Sequence, residues 1–81
     1  MIIKLLFFAS YQDIAGSSEQ SIDLPDASTV DDASAWLVDR FPNFAEALPK
    51  GRVAVNLEFA EPSQSLADGD EVAFMPPVSG G

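Results

Sequence analysis

The chain has 81 residues, 47% of them hydrophobic, and carries 13 aspartates and glutamates against 4 lysines and arginines, a formal charge of −9. That length supports one domain, and the lack of cysteine and histidine removes disulfides, thiolate nucleophiles, imidazole bases and the commonest metal ligands. The acidic balance repels nucleic acid and anionic membrane surfaces and favours a partner with a basic groove.

Residues 2–9, IIKLLFFA, form an apolar run broken only by Lys4 and predict a central strand. The run is too short for a membrane span, and it lacks the basic flank and cleavage site of a signal peptide. Together with the lack of cysteine this predicts a cytoplasmic protein. SYQDIAG, residues 10–16, reads as a polar turn or a single helical turn ending at Gly16. SEQSIDL, residues 18–24, alternates weakly, with Ile22 and Leu24 on one side, and predicts a second strand ended by Pro25.

The clearest helix starts at STVDDASAWLVDRF. Ser28 or Thr29 can cap it, Asp31 and Asp32 suit its first turn, and Val30, Ala33, Leu37 and Phe41 share one face before Pro42 stops it. Trp36 on this helix is expected to be partly buried. NFAEALPKG predicts a short helical turn pinned by Phe44 and Leu48. RVAVNLEFA reads as one third strand that bends near Asn56, with Val53 and Val55 inward. SLADGDEVAFMPP predicts a hairpin turn at Asp68 and Gly69, then a last strand with Val72 and Phe74 on one face. Asp68, Asp70 and Glu71 are read as solvated turn acids and not as a cation site, because no further ligands at loop spacing accompany them.

This order gives an α+β fold: a mixed sheet with one main helix packed on one face and the last strand parallel to the first. It is the β-grasp, or ubiquitin-like, roll, expected as a single domain over residues 1–81 with residues 76–81 as an extended C-terminal tail. Pro76 and Pro77 stiffen the exit from the strand, and Val78 offers one apolar grip. Gly80 and Gly81 have no Cβ, so this end can enter a channel too narrow for any side chain. Fully extended, the six tail residues reach roughly 20 Å. A terminal carboxylate is a poor electrophile. It must be activated, for instance as an acyl-adenylate made by a partner that uses ATP, before a nucleophile such as a sulfur donor can attack its carbon.

LADGDEVAFMPPVSGG at residues 66–81 resembles the C-terminal signature of the molybdopterin synthase small subunit, a MoaD-type ubiquitin-like sulfur carrier. IIKLLFFA, STVDDASAWL and VAVN match the same family in order and spacing. The resemblance implies that a ubiquitin-activating-like adenylyltransferase adenylates Gly81 and that sulfur from a donor converts its carboxylate to a thiocarboxylate. It implies insertion of the tail, Pro76, Pro77, Val78, Ser79 and Gly80 with Gly81, into a large subunit, where the sulfur passes to cyclic pyranopterin monophosphate. Two small and two large subunits are expected in the heterotetramer. The chain itself is expected to be non-catalytic and to bind no metal and no cofactor, with ATP used by the activating partner. Carriers for thiamine biosynthesis or tRNA thiolation also end in Gly-Gly on this fold, and a non-carrier interaction module is a further alternative.

Strand parity marks the docking surface. With Ile3, Leu5 and Phe7 toward the helix, Leu6 and Phe8 face away. With Val72 and Phe74 inward, Ala73 and Met75 face out, and Phe59 can join them. Leu6, Phe8, Phe59 and Met75 are thus the expected apolar partner interface beside the tail. Met75 stands where the family leads one to expect an aromatic residue.

Overall fold

The computed structural model describes residues 1–77. Strand β1 (Ile2–Phe7) buries Ile3, Leu5 and Phe7 and leaves Ile2 and Lys4 exposed and Leu6 half-buried, the period of two expected when one face is covered. Helix α1 (Ser10–Ala15) follows and ends at Gly16, whose φ of 76° is the left-handed cap that glycine adopts without strain. Strand β2 (Glu19–Asp23) turns back antiparallel to β1, with Ile22 opposite Ile3. Leu24 beyond it is buried with Ile22, and the chain leaves the sheet at Pro25.

Helix α2 (Val30–Arg40) starts on Thr29, not Ser28. The Thr29 side chain accepts from the Asp32 N–H at 3.3 Å, and the Asp32 carboxylate accepts from the Thr29 N–H at 2.8 Å. This reciprocal box satisfies two donors that a helix start otherwise leaves unpaired. Ser28 is buried, its hydroxyl donating to the Pro25 carbonyl. Val30, Ala33 and Leu37 are buried against the sheet, and Phe41, the C-cap, packs partly against the core. Thr29→Ala is expected to cost about 1 kcal/mol and to lower the melting temperature by about 4–8 °C, as read by thermal denaturation.

Helix α3 (Phe44–Ala47) and a 3₁₀ turn (Leu48–Lys50) bring the chain to β3 (Arg52–Val55). The expected single bent strand is instead a hairpin. Asn56 and Leu57 both take positive φ, 50° and 72°, and β4 (Glu58–Phe59) folds back antiparallel on β3. Two residues at positive φ form the tight turn whose twist matches a hairpin. Asn56 accommodates it and also fastens the next strand: its side chain donates to Asp70 at 2.9 Å and accepts from the Glu71 N–H at 3.0 Å.

Strand β5 (Glu71–Met75) lies between β1 and β3, parallel to the first and antiparallel to the second, in a sheet of order β2-β1-β5-β3-β4. The sequence expectation of a hairpin at Asp68 and Gly69 is therefore corrected. β4 and β5 are not paired, and the turn ends a crossing connection that inserts β5 into the middle of the sheet. The architecture is the expected β-grasp roll, with α2 across one face. At its centre Phe7 stacks on Phe74 and on Phe44, with ring centroids 6.2 Å and 5.9 Å apart. Among the described residues, no helix is long and apolar enough to cross a membrane.

Candidate docking face and tail root

Register fixes which side chains share the face that α2 leaves uncovered. Leu6 pairs with Ala73, Ala73 with Ala54, and Ala54 with Phe59, so these four form one row across β1, β5, β3 and β4. The next row holds Met75, opposite Arg52. The Phe8 N–H donates to the Phe74 carbonyl at 3.3 Å, which carries the pairing one residue past β1 and sets Phe8 beside Met75. Leu6, Phe8, Phe59 and Met75 therefore lie together on one surface. Phe8 is 46% and Phe59 63% exposed, while Leu6 and Met75 are half-buried. The alanines matter as much as the large residues. Ala54 and Ala73 put only methyl groups at the centre, so the face is a shallow apolar trough rimmed by rings.

Charge sits at the two ends of this face. Lys4 reaches Glu19 at 3.7 Å and Glu71 at 3.8 Å across three adjacent strands. At the other end the Arg52 guanidinium lies over the Phe59 ring, 3.8 Å from its centroid. These pairs are solvent-exposed and contribute little to stability. Their effect is to frame the apolar centre.

The root of the tail lies at the Met75 end of this face. Pro76 is half-buried and Pro77 exposed, both outside the ladder, and they line a groove with Ser10, Tyr11, Asn43, Glu46, Ala47 and Lys50. Val78, Ser79, Gly80 and Gly81, assigned to tail insertion and chemistry from sequence, lie outside the described residues.

Two residues beside the end of β5 went unrecognised in the sequence. Tyr11 is buried to 2% exposure, packs edge-on against Phe44 at 5.5 Å, and donates its hydroxyl to the Ala47 carbonyl at 2.6 Å. Burial pushes the phenol above its usual pKa, so it remains a donor throughout the neutral range. Gly51 is extended, and its role is spatial: a Cβ there would overlap both the Met75 carbonyl and the Tyr11 hydroxyl. The end of β5 thus rests against a seat made by α1, α3 and the 3₁₀ turn. Spacing of Tyr11, Ile14 and Ala15 by three and four residues was the available signal for a buried face on α1.

The acids near the Asp-Gly turn hold backbone. Asp68 accepts from the Ile2 N–H at 2.6 Å, and Asp70 accepts from the Ala67 N–H and from Asn56, both at 2.9 Å. Their oxygens fix the start of β5 between its neighbours. Trp36 is half-buried on α2 under the Arg40 guanidinium, 5.0 Å from its ring centroid, on the covered side of the sheet.

The family model described as the ThiS family matches residues 5–81. The chain is 37% identical to the molybdopterin synthase sulfur carrier subunit of Chlamydomonas reinhardtii over 83 aligned residues, covering all of both chains. It is 39% identical to the subunit of the same description in Escherichia coli, covering 99% of this chain and 100% of that one. Among solved structures, SAMP1 from Haloferax volcanii superposes with a TM-score of 0.88 at 31% identity, covering 100% of each chain.

Proposed function

The chain belongs to the ThiS family, and we propose that within it this protein is the sulfur carrier subunit of a molybdopterin synthase. What carries the reading is the path of β5. It runs through the apolar trough and releases Pro76 and Pro77 from the same end as Phe8 and Met75. A partner that covers Leu6, Phe8, Phe59 and Met75 therefore meets the root of the tail. End-to-end similarity to subunits of that description supports the choice of pathway.

The chemistry belongs to Gly81. Its carboxylate oxygen attacks the α-phosphorus of ATP in an adenylyltransferase and displaces pyrophosphate. Hydrosulfide then attacks the acyl carbon and AMP leaves, or a persulfide attacks and a thiol reduces the resulting acyl disulfide, so that a thiocarboxylate replaces the carboxylate. Pro76, Pro77, Val78, Ser79 and Gly80 carry this group into the large subunit, where sulfur passes to cyclic pyranopterin monophosphate. The phosphorylated substrate needs cations that a chain with 4 basic residues cannot supply, so the large subunit provides them and any catalytic lysine. The working assembly is two small and two large subunits in the cytoplasm. The carrier contributes no catalytic side chain.

Intact-mass measurement tests this directly. Protein isolated from cells with the sulfur-loading machinery is expected to show a mass gain equal to one oxygen replaced by sulfur, located at Gly81 by fragmentation. A molybdopterin-synthase-type large subunit is expected to copurify with the tagged chain. Copurification of a thiazole synthase alone would move the protein to the thiamine pathway. An unmodified mass with no partner would remove the carrier reading altogether.

A further inference from the structure

Taking the docking of a large subunit on the outer sheet face as premise, we propose that Arg52 is a specificity contact and that the docked surface presents a carboxylate to it. Arg52 opens β3, and its Cα partner is Met75, so its side chain belongs to the same face as Leu6, Phe8 and Phe59. The guanidinium is held over the Phe59 ring at 3.8 Å from the centroid. A guanidinium stacked on a ring keeps its in-plane N–H donors available to other partners.

No described carboxylate of this chain lies within 4.0 Å of Arg52; the ion pairs among described residues belong to Met1 and Lys4. Asp31 and Glu61 line the groove on the α2 side of Arg52, and neither reaches it as an ion pair. Lys4, the other cation of this face, is engaged by Glu19 and Glu71. Arg40 lies over Trp36 on α2, and Lys50 lines the groove at the tail root. Among the described residues of a chain of formal charge −9, Arg52 is thus the cation of the docking face that no acid engages as an ion pair.

Closing an interface over this face strips water from Arg52 while Phe59 stays beneath it. An apolar cover would bury a charge with unmet donors, which is strongly unfavourable. A carboxylate meets both needs, because two parallel N–H···O bonds match its geometry and its charge cancels the guanidinium's. The sign pattern also sets register. A surface attracted to this acidic chain is basic overall, so one acid within it is repelled by most of the carrier and attracted, on this face, at Arg52. The contact selects one docking pose, the one that aligns the tail with the partner's channel.

The test compares wild type, Arg52→Gln and Arg52→Glu for binding to the purified large subunit from the same source, with melting temperature and amide spectra confirming that each variant is folded. Arg52→Gln is expected to weaken binding by about 30-fold or more, mostly through faster dissociation. Arg52→Glu is expected to be worse, and one acid-to-lysine variant of the large subunit is expected to restore it. Equal binding of wild type and Arg52→Gln, within about twofold, would overturn the proposal and leave the carrier reading standing. Weakened binding of Arg52→Glu that no acid-to-lysine change restores would overturn the carboxylate. No binding by wild type would overturn the carrier reading, and this contact with it.

Discussion

Deletion of Gly81 is expected to abolish sulfur loading and transfer while leaving folding and docking intact. The shortened chain ends on Gly80 and still carries a terminal carboxylate, so the chemical group survives and only its position changes. One residue of extended chain is about 3.3–3.6 Å. Misplacement of a reacting atom by about 1 Å costs on the order of 100-fold, so a displacement three times larger places the carboxylate beyond useful reach of the adenylating phosphorus. Folding is untouched because the buried core of the described residues runs from Ile3 to Phe74. The melting temperature is expected to change by no more than about 2–4 °C, as for a surface substitution. Affinity for the large subunit, set largely by the sheet face, is expected to fall far less than activity. Retained activity in the shortened protein would show that the tail is idle and that the sheet face alone accounts for function.

Much of this arrangement is legible in the sequence because it depends on parity and on end signals. Ile3, Leu5 and Phe7 alternate with Lys4 and Leu6, and Val72 and Phe74 alternate with Ala73 and Met75. Once both strands pack under α2, the exposed set is determined, since strand residues two apart share a face. Ser28 and Thr29 ahead of Asp31 and Asp32 placed the helix start to within one residue, and the reciprocal Thr29–Asp32 box decides between them. The hairpin at Asn56 was hidden for a physical reason. Its turn is Asn-Leu and not the usual Asn-Gly, and Leu57 holds φ 72° although a side chain there resists it. The compensation is long-range, in the bonds from Asn56 to Asp70 and Glu71, which no local pattern announces.

Tyr11 and Gly51 were hidden differently. Helix α1 spans six residues, so the spacing of Tyr11, Ile14 and Ala15 repeats only once, and the segment read as a polar turn or a single helical turn. The need for glycine at position 51 arises only when Met75 and Tyr11 arrive beside it from 24 residues downstream and 40 residues upstream. Strand pattern places Arg52 but is silent on whether an acid of the same chain will claim it. That depends on the hairpin carrying Phe59 back over β3. The residues proposed for reaction and docking were therefore legible as a list, and the side chains and backbone that support the end of β5 were not.

Phe44→Ala is expected to be the most destabilising single change within the described residues, with the tail root affected first. Phe44 is fully buried and touches three rings: it stacks on Phe7 at 5.9 Å and meets Tyr11 and Phe41 edge-on at 5.5 Å and 6.1 Å. Truncating a phenylalanine in such a site costs about 3–5 kcal/mol. A domain of this length has only about 4–12 kcal/mol in total. The expected fall in melting temperature is about 12–40 °C, with an unchanged dependence on denaturant if unfolding stays cooperative. Loss is expected to be uneven across the fold. α2 keeps Val30, Ala33 and Leu37 against the sheet, whereas Tyr11 loses the ring that holds it beneath Ala47 and Gly51. Hydrogen exchange should therefore speed up at α1, α3 and the end of β5 before it does at α2. Saturating large subunit should recover part of the lost stability, because binding favours the folded state by mass action. Phe44→Leu, which keeps most of the volume, should lose much less. A drop of only a few degrees for Phe44→Ala, with uniform exchange, would mean that the seat under Met75 is held by backbone pairing and that the aromatic cluster does not aim the tail.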